Sequence, residues 1–459
     1  MFFSNYQNQL NQHSFSKDPF TFLQPDVHND LASIIEIALI ENGDRLAREA
    51  WQSAQLQNVL QNAHSGSLFW RNRIPKILPK DDLLKNLPIL TRKDVTHQVN
   101  AEGSLFQSRD SSKIQSYASS GSTGIPVKVH ACLQNARYNE LRSMAQYFIE
   151  GRKLNHNRTF IKPANGYSYT SPQKNFKVEK YDGWLGGLNK IYVSGSYKII
   201  HYDGDEKALI DEIGQNEIGY LACLSSHMDI LLKYFEPSAL KNLGMHMWLH
   251  HSDNLDDVQR NILNNEGITT RSGYSCSEVG PIAVECLVNQ GFYHVAHSNV
   301  IVEVDYEEGA FINNEKLGRI LITHLHSYAT PLVRYEVGDF GQIHSTCPCG
   351  HDGTTLSHIY GRKKYFLRTC DGDLIPFPIF SKPLLDITSF TEFFVYQPDL
   401  SSIVVELGGR DFLDADEMRA IKKFISNLSQ DKFNVSVITR LHIDWSKNPK
   451  RLPFISYVS

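Results

Sequence analysis

Four hydroxyl side chains and two glycines fall within six consecutive residues, Ser119, Ser120, Gly121, Ser122, Thr123 and Gly124. Glycine admits the left-handed backbone that turns several amide N–H groups toward one point, and the hydroxyls add donors, so the segment has the makings of a phosphate cradle. It is not a Walker loop: no Gly-Lys-Ser/Thr follows, and the next residues, IPVKV, read as a strand. A plain polar turn fits the same letters. A second cluster of reactive types is Cys286, His294, Cys347 and Cys349. Thiolate and imidazole are the ligands tetrahedral zinc prefers, and four protein ligands would leave no open position, so such a zinc would be structural. His297 and His351 compete with His294 for the nitrogen position, and buried free cysteines are the alternative reading. His246, His250 and His251 lie on one expected strand; the first two share a face and the third points the other way, which argues against a metal cluster among them.

The elements that must position these residues change character along the chain. The first hundred or so residues read as helical. DLASIIEIALIENGDRLAREAWQSAQLQNVL places apolar residues three and four apart, and LPILTRKDVTHQV offers Thr91 as an N-cap with Asp94 three residues on. From about residue 116, short β runs alternate with helices at ARYNELRSMAQYFIEG and LDDVQRNILNNEG, the order of a parallel layered sheet. GYSCSEVG then falls at the carboxyl end of a strand, where open sheets of this kind bind ligands. Residues 292–345 are strongly β, with turns that suggest a small barrel or curved sheet. The last ninety or so residues read as a compact α+β lobe whose helix opens on the capping-box pair Asp414 and Glu417 and shows Met418, Ile421, Ile425 and Leu428 on one face.

Composition excludes several classes. With 46 Lys and Arg against 50 Asp and Glu, the net charge is −4, so no general polyanion-binding surface is expected, and nucleic acid is not a partner. No run reaches the roughly 18 apolar residues that a membrane span needs. The leader lacks a basic start followed by an apolar core, and seven scattered cysteines suit free thiols; the expected location is the cytoplasm.

SSGSTGIP resembles the phosphate loop of adenylate-forming enzymes, the acyl-CoA synthetase and adenylation-domain superfamily, and within it the phenylacetate-CoA ligase-like branch. Four further segments follow in the family's order: YSCSE (274–278), PLVRYEVGDFGQI (331–343), IYGRKKYFL (359–367) and NPKRLPFIS (448–456). By that resemblance Ser119 to Gly124 hold phosphates, with Thr123 among the catalytic groups. Tyr274 stacks on adenine, Ser277 meets the α-phosphate, Glu278 holds Mg²⁺, and Asp339 accepts from both ribose hydroxyls. Arg362 reaches the ribose, Lys364 marks the hinge, and Lys450 neutralises charge during adenylation. The branch often carries a structural zinc built from residues such as Cys286, His294, Cys347 and Cys349. Three departures stand out: Ser275 for a glycine, the His250-His251 segment, and Asn448-Pro449 before the lysine. Read without the resemblance, YSCSE fits a strand-to-helix turn, Arg334 and Asp339 an ion pair at a hairpin, IYGRKK a basic surface turn, and NPKRLPFIS a solvated basic tail.

The expectation is an α/β protein. Residues 1–361 form a large ATP- and carboxylate-binding domain, helical over 1–115 and with a β-barrel-like subdomain over about 292–361. A small mobile α+β domain, 362–459, follows a hinge at Lys364. The implied activity is ATP-dependent activation of an aryl or apolar carboxylic acid to an acyl-adenylate, then transfer to a thiol, most simply coenzyme A. Transfer to an amine or a carrier-protein thiol, and a degenerate nucleotide-binding member of the fold, are the alternatives. Mg²⁺ accompanies ATP, a structural Zn²⁺ is one option for the Cys/His set, and a homodimer is an open assembly.

Overall fold

The computed structural model describes residues 25–75, 84–100, 114–118, 127–164, 176–190, 192–251, 257–312, 315–361, 366–377, 379, 381–445 and 453–458. The apolar period of the first segment produces two helices, Pro25–Asn42 and Arg45–Gly66. The break falls at Asp44, whose carboxylate caps the second helix by accepting from the Ala47 N–H at 3.0 Å. Thr91 and Asp94 cap the helix Arg92–Asn100 reciprocally: Thr91 Oγ1 accepts from the Asp94 N–H, and Asp94 Oδ2 accepts from the Thr91 N–H at 2.9 Å.

Among the described residues, twenty strands follow. β1 (Ile114–Ala118) and β2 (Lys128–Cys132) pair as an antiparallel hairpin. The layered region contributes β3 (Arg158–Pro163), β4 (Lys177–Tyr181), β5 (Tyr197–Tyr202), β6 (Gly219–Cys223), β7 (Met245–His251) and β8 (Thr269–Cys276). Next come β9 (Gly280–Glu285), β10 (Phe292–Val295), β11 (Val300–Ile312), β12 (Glu315–His324), β13 (Tyr335–His344) and β14 (Thr355–Tyr360), then the short β15 (Phe366–Arg368) and β16 (Leu374–Pro376). The terminal lobe holds β17 (Glu392–Asp399), β18 (Ser402–Gly408), β19 (Asn434–Arg440) and β20 (Phe454–Ser456).

Strands β3 to β16 join one 14-stranded sheet in the order β15-β16-β11-β12-β13-β14-β10-β9-β8-β7-β6-β3-β5-β4. The core of that sheet, β5-β3-β6-β7-β8, is parallel, with helices such as Glu206–Gly214 and Ser225–Tyr234 in the crossovers. From β9 onward the neighbours run antiparallel, apart from the single β11–β16 pair. The β-rich stretch anticipated as a barrel-like unit is therefore hydrogen-bonded to the layered part through β9 and β10, and the two make one connected sheet. Three apolar clusters line its faces; the largest combines Leu60, Trp70 and Leu90 of the helical segment with Ile320, Ile322 and Tyr335.

The lobe packs the helix Ala415–Leu428 on a separate four-stranded sheet, β19-β18-β17-β20. The expected capping box of Asp414 and Glu417 is present, and Ile421 and Ile425 are fully buried with Met418 and Leu428 packed beside them. Between lobe and large sheet stands the β15–β16 hairpin. Phe366 and Leu374 pack on Leu317 and Phe340 of the large sheet, whereas Leu367 and Ile375 enter the core of the lobe.

Several histidines are buried as neutral rings. Burial, helped by His326, holds His324 at about 3, and burial with His251 and Arg260 holds His250 at about 3. The unfolded chain takes up protons at both positions below roughly pH 6.5, whereas the folded chain does not until near pH 3. Stability contributed by these groups is thus full above pH 6.5 and lost as pH falls, by roughly 1 kcal/mol per pH unit for each. In urea titrations between pH 7 and 5, His324→Gln is expected to flatten the fall in unfolding free energy; an unchanged slope would contradict burial as a neutral ring.

Candidate active site

Two strand ends and one bulge assemble the polar centre. β8 ends at Cys276 and turns through Ser277–Val279 into β9, with Gly280 at φ +81. YSCSE therefore lies on a β-hairpin turn and not on a strand-to-helix turn. Across from it, β13 carries a bulge: Arg319 and Leu321 of β12 pair with Phe340 and Glu336, so extra residues are looped out between them. Gly338, at φ +93, supplies the left-handed residue that the bulge needs. Asp339 follows directly, and its Oδ2 accepts a hydrogen bond from the Tyr274 hydroxyl at 2.8 Å. Residues 65 apart in sequence, from two segments that resemble nucleotide-binding motifs, are thus in direct contact.

Glu278 lies in the same turn, its side chain only 3% exposed. Oε1 accepts from Arg92 Nη1 at 3.1 Å and from the Tyr335 hydroxyl at 3.4 Å. Burial, and then the Glu278 charge, drive the Tyr335 phenol well above its ordinary value, so it stays protonated as a donor. The Cys276 thiol is also pushed up, by burial first and then by the charges of Glu278 and Asp339. It is a neutral neighbour and not a nucleophile. Ser275 and Ser277 are exposed at the mouth of the turn.

Arg334 does not pair with Asp339. Its guanidinium donates to Glu303 at 3.1 Å and to the Leu87 carbonyl at 2.6 Å. Arg334 itself has φ +49, a left-handed conformation that costs a non-glycine residue roughly 1–2 kcal/mol. The cost is offset locally: its N–H donates to Thr323 Oγ1 at 3.0 Å and its carbonyl accepts from the Leu90 N–H at 2.9 Å. That second bond belongs to a bridge between Leu90 and Tyr335, which seats the start of the Arg92 helix against Glu278. Neither Arg92 nor Tyr335 stands out as a site residue from the sequence. The signal that could have found Arg92 is a basic residue directly after the cap Thr91, at the end of LPILT.

The other nucleotide-side expectations, Ser119, Ser120, Gly121, Ser122, Thr123, Gly124, Arg362, Lys364 and Lys450, lie outside the described residues. The strand anticipated after residues 119–124 is present as β2. His250 is buried in β7, with Nδ1 3.4 Å from Ser272 Oγ and its ring edge-on to Trp248. Glu278 also fits a divalent cation. It already draws the Arg92 guanidinium, and Mg²⁺ is commonly held by one or two carboxylates together with substrate phosphates.

The four Cys and His residues converge as anticipated. Ligand atoms of Cys286, His294, Cys347 and Cys349 all lie within 4.8 Å of one another, and Cys349 Sγ is 3.4 Å from His294 Nε2. His297 and His351, the competitors, stand beside the set, with the His351 ring stacked 4.3 Å from His294. Cys286 Sγ accepts from the backbone N–H groups of Val288 and Asn289 at 3.4 and 3.3 Å. Burial raises that thiol, yet these N–H donors together with hydrogen bonds from Cys349 and Cys347 hold it below its ordinary value. A tetrahedral zinc with bonds of about 2.3 Å to sulfur requires ligand atoms under about 4 Å apart, so this set fits Zn²⁺ with little adjustment.

No family model matches the sequence. A crystal structure of 2-hydroxyisobutyryl-CoA ligase in the postadenylation state superposes with a TM-score of 0.63, covering 92% of each chain at 14% identity. The acyl acid amido synthetase AtGH3.15, in complex with 2,4-DB, gives 0.55 over 90% of each chain at 12% identity. The fold is that of the adenylate-forming enzymes. In sequence, the chain is 22% identical over 267 residues to a phenylacetate-coenzyme A ligase of Thermus thermophilus. That match spans about half of either protein, 54% of this chain and 54% of the relative. The adenylate-forming fold thus accounts for the mixed sheet. Among the described residues, no helix is long and apolar enough to cross a membrane.

Proposed function

We propose that this chain activates a carboxylic acid with ATP, forming an acyl-adenylate and pyrophosphate, and then transfers the acyl group to the thiol of coenzyme A. The observation that carries this reading is the contact of Tyr274 with Asp339 beside the buried Glu278, at the carboxyl end of β8. A buried carboxylate beside a ribose-sized acceptor is an arrangement suited to a metal-bound nucleotide. Asp339 would accept from the ribose, the Tyr274 ring would face the adenine, and Ser277, exposed at the turn, would meet the α-phosphate. Mg²⁺, when bound at Glu278, supplies positive charge for the phosphate oxygens. The rest is alignment of the carboxylate with phosphorus and stabilisation of charge by Ser119 to Gly124 and Lys450.

In the same reading residues 1–361 bind ATP and acid, and residues 362–459 turn about Lys364 with Arg362 at the ribose. That turn would withdraw Lys450 and admit the thiol. Zinc held by Cys286, His294, Cys347 and Cys349 would fasten β9, β10 and the 345–354 turn.

An aryl or apolar acid is the finer part of the proposal. Supporting it, the end of β6, the helix after it and the end of β7 carry the buried Cys223, His227 and His250, and burial holds the two imidazoles at about 4 and about 3. Neutral groups of this kind offer no counter-charge to a second carboxylate. An amine acceptor is the second reading, favoured by the similarity to an acyl acid amido synthetase.

Pyrophosphate exchange tests the adenylation step. Labelled pyrophosphate should return to ATP only when a suitable acid is present, and coenzyme A or an amine should then consume the adenylate selectively. Absence of exchange across a broad panel of aryl and aliphatic acids would defeat the proposal.

A further inference from the structure

At the amino ends of the parallel strands, away from Tyr274 and Glu278, a second set of metal-ligating side chains has been brought together. His156 precedes β3 by two residues, Glu217 precedes β6 by two, and His246 is the second residue of β7. β6 lies between β3 and β7, with Arg158 aligned to Tyr220 and Gly219 to Met245. The three ligands therefore stand side by side on one edge of the sheet. Their ligand atoms lie within 4.8 Å of one another, and the imidazole centroids are 3.8 Å apart.

The surroundings hold each ligand in place. Glu217 Oε2 accepts from the Asn157 side-chain amide at 3.2 Å, the kind of outer contact that orients a ligating carboxylate. Asn157 Oδ1 in turn accepts from the Ser196 N–H and hydroxyl at 2.9 and 3.0 Å. Trp184 Nε1 donates to the His156 carbonyl at 2.8 Å, which fixes the backbone that carries the first imidazole. Gly244, at φ +75, lets the third segment approach: a Cβ there would stand 2.7 Å from the Glu217 Cγ. Both imidazoles line a cleft of about 310 Å³ that Lys153, Arg152 and Tyr220 also wall.

We propose that His156, Glu217 and His246 form a second metal site, specific for a divalent transition cation of the zinc type. Two imidazoles and one carboxylate are nitrogen and oxygen donors that suit Zn²⁺, Co²⁺ or Ni²⁺ and not the all-oxygen shell of Mg²⁺ or Ca²⁺. Three protein ligands leave at least one coordination position for water or a small ligand from the cleft, unlike the closed Cys₃His set. The site is not part of the candidate active centre. β7 alone, seven residues long, separates its two ends by about 20 Å. The cation would clamp the amino ends of three neighbouring strands at the edge opposite the nucleotide.

Cobalt reports the two sets separately, because thiolate-bound Co²⁺ shows an intense charge-transfer band and a His₂-carboxylate site does not. The full chain, stripped with chelator and titrated with Co²⁺ alone, is expected to bind thiolate cobalt and, in addition, cobalt silent in that band. Glu217 is exposed, so Glu217→Gln should fold normally; it should weaken the silent binding by about 10-fold or more and leave the thiolate band unchanged. His246→Ala should abolish it, and Cys347→Ser should weaken the band but keep the silent cobalt. Absence of silent cobalt in the wild-type chain, or silent binding unaffected by Glu217→Gln, would overturn the proposal. Neither result bears on adenylation, which the exchange assay tests on its own.

Discussion

Glu278→Ala is expected to lower acid-dependent pyrophosphate exchange by about 10²–10³-fold, the scale on which enzymes lose rate when one preorganised charge-stabilising group is removed. The fold should survive the change. Arg92, which Glu278 now binds, keeps 23% of its side chain exposed and can be solvated when its partner goes, and the Tyr335 contact is long at 3.4 Å. Unfolding free energy should therefore move by only about 1 kcal/mol. Glu278→Gln separates charge from shape, because the amide oxygen can still accept from Arg92 and Tyr335 but offers a cation far less. If Gln restores exchange, Glu278 serves only to seat the Arg92 helix and the proposed metal role fails. If both variants lose exchange while circular dichroism and urea midpoints stay near wild type, the carboxylate charge is the active quantity.

The largest stability effect is expected at Glu285, two strand ends away from that chemistry. Its carboxylate is 1% exposed and forks onto Arg260 at 2.8 and 3.2 Å. It also accepts from the N–H groups of Ser272 at 3.0 Å and Gly291 at 2.9 Å. Arg271, which ion-pairs with Glu150, donates to the Glu285 carbonyl at 2.7 Å. Removing one partner of such a pair leaves a buried charge uncompensated, which costs about 3–5 kcal/mol, whereas the intact pair adds little over an apolar replacement. Glu285→Ala should thus lose about 3–5 kcal/mol in denaturant unfolding, and Glu285→Gln less, because its amide oxygen keeps an acceptor for one of the two N–H groups and for one arm of Arg260. A loss below about 1 kcal/mol for alanine would show that water reaches Arg260. Since Ser272 lies two residues before Tyr274 and Cys286 follows Glu285 directly, the same variant should also loosen cobalt binding by the cysteines.

What the sequence made legible was local or carried by residue type. The caps at Thr91 and Asp414 depend on neighbours three residues apart, and both are present. Cys286, Cys347 and Cys349 could be grouped from chemistry alone, but the choice of His294 over His297 and His351 needed the β9–β10–β14 pairing. Tyr274 and Asp339 could be assigned to one centre only through the order of the segments, and their contact depends on the bulge at Gly338. Long-range partners were not legible. Nothing in LPILTRKDV says that Arg92 reaches Glu278, and the period-two argument that set His251 apart from His246 and His250 was sound within β7 yet blind to His156 and Glu217 on neighbouring connections. The side chain of Arg334 likewise goes to Glu303 because the left-handed turn at Arg334 directs it back over β11.

The hairpin between the lobe and the large sheet has one more implication. Because successive strand residues face opposite ways, Phe366 and Leu367 are adjacent in the chain but belong to different cores, as do Leu374 and Ile375. The hairpin is therefore a shared wall: its two sides can be altered independently, and a probe placed at either neighbouring position senses a different half of the molecule.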